Sequence, residues 1–148
     1  MLIPSLKTVF RRDLEKLKLE IEAYRAEQKI WHTEHNIANS AGNLALHLVG
    51  NLNTFIGANL GNSSYVRNRE LEFSLKDMPR AELTSKIEDT MAVIDNTLDS
   101  LTADQLEADY PVMVFADRMT TMFFLLHLSA HLSYHLGQVN YHRRLLDV

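Results

Sequence analysis

Histidines recur every fourth residue in the run His127-Leu128-Ser129-Ala130-His131-Leu132-Ser133-Tyr134-His135-Leu136-Gly137-Gln138. Four-residue spacing on a helix puts side chains on one face, about one turn apart. Two imidazoles so placed can close on one metal ion, with nitrogens about 2.0–2.1 Å from it. A third ligand must come from elsewhere, and His47 lies in the only other long apolar stretch with a well-placed histidine. Three neutral imidazoles leave an ion its full positive charge. Such an ion lowers the pKa of bound water or thiol, or polarises a carbonyl. The spacing alone leaves the register open, because His127 and His131 are as well placed as His131 and His135. Zinc-protease chemistry is not supported, since that motif needs a Glu after its first His and Leu128 and Leu132 stand there.

The remaining histidines read differently. His142 lies beside Arg143 and Arg144 and is read as facing the helix C-terminus. His32 and His35 fall in a polar joint and are read as surface residues. Arg67 and Arg69, in a charged aperiodic stretch, could neutralise carboxylates of a substrate or cofactor. The alternative pairs them with Glu70 or Glu72 as loop surface charges.

Helices must position these residues. The chain has 148 residues, no cysteine, five glycines and three prolines, a balance that favours helix. The first helix is expected from Pro4 to about Ala26, with Leu6, Phe10, Leu14, Leu17, Ile21 and Tyr24 inward. Ser40 caps a second running to about Asn59, with Leu44, Leu48, Leu52 and Phe55 as its stripe. Tyr65 to Pro79 reads as a long connection, of the kind that often has a job. The third helix is expected over Arg80 to Ser100, and Thr102 to Gln105 matches a capping box. Tyr110 to Phe115 reads as an extended segment or small strand. The fourth helix spans about Met119 to Leu146, with a seam of Leu125, Leu128, Leu132, Val139 and Leu146. His135 and His142 fall within that seam, and His131 lies beside it. Four long amphipathic helices imply an all-α four-helix bundle, residues 1–148 as one domain. Periodicity does not fix their order.

The formal charge of -4 gives no reason to expect a nucleic-acid partner. The absence of cysteine excludes disulfides, Cys-ligated zinc and a thiol nucleophile from the chain itself. No run of 18 apolar residues could span a bilayer, so no membrane partner is expected. The N-terminus lacks the order of a signal peptide, and a cytoplasmic location is the expectation.

Three segments carry a family resemblance: Gly42 to Leu52, Tyr65 to Phe73, and His131 to Gln138. There the chain resembles the DinB/YfiT-like metalloenzyme superfamily, and more closely its DinB-like family DUF1572. The resemblance implies an up-down-down-up bundle, often a homodimer. It also implies a divalent metal, commonly zinc or nickel, on His47, His131 and His135, with His127 one turn away and not a ligand. Some relatives use a low-molecular-weight thiol cofactor, so a thiol-dependent S-transferase or isomerase acting on a small molecule is the leading expectation. A metal-dependent hydrolase, with Glu34 or Asp117 as conceivable base, is the second. A non-catalytic dimeric metal-binding or stress-response protein is the third.

Overall fold

A computed structural model describes residues 2–148. Six α-helices run in the order α1 (Leu2–Glu22), α2 (Ala41–Leu52), α3 (Arg69–Ser74), α4 (Arg80–Ser100), α5 (Ala103–Glu107) and α6 (Thr121–Leu146). A 3₁₀ turn, Glu27–Trp31, precedes α2, and a π-helical stretch, Asn53–Ala58, extends it. No strand occurs among the described residues. The protein is therefore all-α. None of these helices is long and apolar enough to cross a membrane.

Local chemistry sets several helix starts. Ser40 accepts from the Asn43 N–H at the head of α2, and Thr120 accepts from Phe123 at the head of α6. Thr102 and Gln105 form the expected capping box on α5. Helix α1 stops at Glu22, short of Ala26. The N–H groups of Arg25 and Ala26 turn instead to the Asp147 carboxylate just beyond α6, at 2.6 and 3.2 Å.

The buried stripe of α1 is Leu6, Phe10, Leu14, Leu17 and Ile21, and that of α4 is Leu83, Ile87, Ile94 and Leu98. Each fully buried leucine or isoleucine contributes about 1.5–3 kcal/mol relative to exposure. Every residue of α2 is buried. That helix is thus the most enclosed of the long ones, and its polar residues must find partners inside the protein.

Contacts fix the sense of each packed pair. Lys7 meets Asp99, Arg11 meets Asp95 and Lys18 meets Glu88, so α1 and α4 are antiparallel. Asp13 meets Ser133, Glu20 meets Asn140 and Tyr24 meets His142, so α1 and α6 are parallel. Asn53 bonds Thr90 at 2.8 Å, and Gly61 lies against Thr97, so α2 and its extension run parallel to α4. His47 meets His131 while Phe55 packs on Phe124, so α2 and α6 are antiparallel.

Two connections depart from their expected form. The stretch from 65 to 79 contains α3, a six-residue helix with Asn68 accepting from the Leu71 N–H. The Asn43 amide fastens it to α2 by donating to the Glu72 and Leu75 carbonyls at 2.9 and 2.8 Å. The segment after α5 is not a strand. It is a loop closed at its base, where Tyr110 N–H donates to Met119 and Thr121 N–H to Ala108 at 2.9 Å.

Candidate metal centre

Helices α2 and α6 bring His47, His131 and His135 together. Their nearest ring nitrogens lie within 4.8 Å of one another, an arrangement that could hold a metal ion. The His131 Nε2 is 3.2 Å from the His47 Nε2 and 3.1 Å from the His135 Nε2. His127, exposed one turn earlier, is outside the group. It stacks on Phe124 and meets the edge of Phe115.

Partners on the far side of the His47 and His135 rings set their tautomers. The His47 Nδ1 lies 3.0 Å from a Glu72 carboxylate oxygen, which can only accept, so Nδ1 carries the proton. The Nε2 of His47 is then a bare lone pair. The His135 Nδ1 lies 2.7 Å from the Gln138 Oε1, which leaves its Nε2 bare by the same reasoning. His131 sits between these two lone pairs. Its own Nδ1 is buried with no hydrogen-bond partner. If the proton is on Nδ1, three lone pairs converge and the N–H is orphaned. If it is on Nε2, it serves one neighbour well and strands the Nδ1. Either way a buried polar nitrogen goes unmatched, at a cost of about 1–3 kcal/mol.

Protonation does not relieve this easily. Burial, then the neighbouring His135, His47 and His127, push the His131 pKa down to about 4. Burial also lowers the His47 pKa, against the opposing pull of Glu72. Three imidazoles converge here, the kind of nitrogen donor set that divalent transition metals take.

Glu72 is the residue that sequence reading placed only as a loop charge. It is 6% exposed and accepts from both His47 and the Arg67 guanidinium, at 2.7 Å from Nε and 2.8 Å from Nη2. A carboxylate behind a ligating histidine orients the ring and raises its basicity. Gly50 makes room for it, since a Cβ there would overlap the carboxylate. A buried acid within α3 could have been sought from the pairing of a charged segment with a largely apolar helix that carries a histidine.

The other candidates lie elsewhere. His32 bonds Glu34 at 2.7 Å and His35 is exposed. His142 does not face the helix end. It is buried, 2.6 Å from the Tyr24 hydroxyl and 2.7 Å from the His32 carbonyl. Arg69 is exposed, with no ion pair among the described residues. Neither conceivable base reaches the cluster: Glu34 is held by His32, and Asp117 lines a separate hollow with Asp109 and Arg118. Two clefts do reach it. One, of about 530 Å³, meets His135 and is walled by Leu44, Tyr134 and Tyr141. The other, of about 300 Å³, meets His47 and His131.

The fold has a solved counterpart. The crystal structure of a conserved protein from Enterococcus faecalis aligns with a TM-score of 0.75 at 16% identity. The match covers 97% of this chain and 95% of that one. No match is found among curated proteins. The model of the family described as "Protein of unknown function (DUF1572)" matches residues 5–147, and the chain belongs to that family.

Proposed function

We propose that the protein binds one divalent metal ion, zinc or nickel, on His47, His131 and His135, and works as a metal-dependent enzyme of the DinB-like superfamily. The carrying observation is the convergence of three imidazole nitrogens around the half-buried His131, whose buried Nδ1 has no hydrogen-bond partner. A bound ion would supply a positive centre that acidifies a bound thiol or water or polarises a carbonyl. The chain's own residues do the rest. Glu72 and Gln138 hold His47 and His135 in the tautomers that leave Nε2 free. The loop from 108 to 121 brings Val114 and Phe115 to one of the clefts.

The reaction we favour is thiol-dependent transfer or isomerisation of a small molecule. The chain contains no cysteine, so the thiol would come from outside as a low-molecular-weight cofactor. A cysteine-free chain draws no benefit from an oxidising compartment, which agrees with a cytoplasmic setting. Thermal shift of the zinc-loaded protein against bacillithiol, mycothiol, glutathione and coenzyme A tests this reading. Saturating binding at one hundred times Kd should add about 2.7 kcal/mol of stability for the true thiol. No response to any of the four would move the assignment away from thiol chemistry.

We also infer an up-down-down-up order for α1, α2, α4 and α6. The antiparallel pairs α1–α4 and α2–α6 and the parallel pairs α1–α6 and α2–α4 support it. A homodimer belongs to the same proposal. Phe123, Leu126, Tyr134, Tyr141 and Leu145 expose an apolar stripe along α6. Gly137 lies within it, with open space where its Cβ would be, so another helix could approach closely. Sedimentation should give a dimer that Tyr134→Glu or Gly137→Glu dissociates; a monomeric wild type would refute it.

A further inference from the structure

We propose that the 300 Å³ cleft beside His47 and His131 binds a small carboxylate with an aromatic body, carrying a hydroxyl or amide N–H. The proposal rests on the metal-site reading above and names the ligand class for it.

Asn51 is the first observation. It follows His47 by one turn of α2 and lines the same cleft. It is 8% exposed, yet its Oδ1 has no hydrogen-bond partner. A buried amide acceptor left open next to a cluster of inward lone pairs awaits a donor, because buried polar groups are otherwise matched. Its Nδ2 adds two donors.

Charge is the second. Arg67 and Arg69 both line the cleft. Glu72 balances the Arg67 charge but occupies only two of its five N–H donors. Arg69 has no counter-ion among the described residues. The Arg69 guanidinium therefore brings a positive charge without a counter-ion to the cleft, and its planar fork suits a carboxylate.

The walls are the third. Phe55 and Phe115 both meet Phe124 edge to face, at 5.2 and 6.0 Å between centroids. Phe115 comes from the loop between α5 and α6 and is 42% exposed, so it forms the rim. Aromatic edges and faces set at right angles around a small space take up a flat ring. A carboxylate at the arginines, a ring against the phenylalanines and a donor at Asn51 Oδ1 satisfy each wall of the cleft.

Mandelate carries all three groups and serves as the probe, titrated calorimetrically into the zinc-loaded protein. Acetate lacks the ring, mandelamide lacks the charge and phenylacetate lacks the hydroxyl. Mandelate should bind about tenfold tighter than each control, and Arg69→Gln and Asn51→Leu should each cost about the same factor at unchanged zinc content. Arg69 is exposed, so its variant reports even if Asn51→Leu fails to fold. Equal affinity for acetate and mandelate, or full affinity in Arg69→Gln, would overturn the proposal. A parallel titration of the zinc-free protein separates the two readings. Zinc uptake without preference for mandelate defeats the cleft alone, and mandelate binding by a chain that takes no zinc defeats the metal reading alone.

Discussion

His131 and His142 lie on the same helix, three turns apart, and both press into the protein against other helices. Burial lowers the pKa of each. They differ in where their ring nitrogens go. The His142 Nε2–H donates to the His32 carbonyl, which can only accept, so its Nδ1 is a lone pair that accepts from the Tyr24 hydroxyl. Both nitrogens are matched by protein. At His131 one nitrogen is orphaned and the other meets two lone pairs. Residue type and helix are shared, so neither of them marks a ligand. What marks it is hydrogen-bonding capacity that the protein leaves unused.

The contrast can be broken at either end, and the largest effect should come from the matched histidine. His142→Ala leaves the Tyr24 hydroxyl and the His32 carbonyl unpaired and opens a cavity. It should cost about 3 kcal/mol in urea unfolding while metal content stays the same. A loss of metal without a loss of stability would mean the two regions had been assigned the wrong way round. Next comes the support behind the cluster. Glu72→Gln should weaken zinc affinity about 10–100-fold with little effect on the fold. Gly50→Ala should do the same by pushing the Glu72 carboxylate aside. Wild-type affinity in both would remove Glu72 from the site.

The smallest effect is a pH dependence. The folded pKa of His142 lies below its ordinary value of 6.5 because burial disfavours the charged ring. The unfolded chain therefore takes up the proton first. The stability from neutral His142 is fully present above pH 6.5 and is lost as pH falls toward the folded pKa. His142→Gln, compared with wild type at equal metal loading, should lose stability less steeply below that pH. Parallel curves would show that His142 does not titrate differently on folding.

Much of this was legible in the sequence because apolar periodicity is a strong signal over twenty residues. Helix α4 has the expected limits, Arg80 to Ser100, and the Ser40 and Thr102 caps stand where their side chains imply. The four-residue ladder put the histidines on one helix, and His47 supplied the facing member. Short elements were not legible. Helix α3 has six residues, too few for a period, and its one buried side chain is a glutamate. Its place depends on the Asn43 amide 29 residues away, a contact that spacing cannot report. His142 was misplaced for a related reason. Two arginines follow it, yet the matching partners come from Tyr24 and His32, more than 100 residues earlier. Local charge pointed to solvent, and long-range packing decided otherwise.

The central claim is tested most directly by X-ray absorption at the zinc edge on loaded protein, with ligand nitrogens counted in wild type and single variants. The account predicts three imidazoles at about 2.0–2.1 Å in wild type. The same count should hold in His127→Ala and His142→Ala, and the ion should be lost or short of one imidazole in His47→Ala, His131→Ala and His135→Ala. An unchanged wild-type spectrum in His131→Ala, or a lost ligand in His127→Ala, would contradict it.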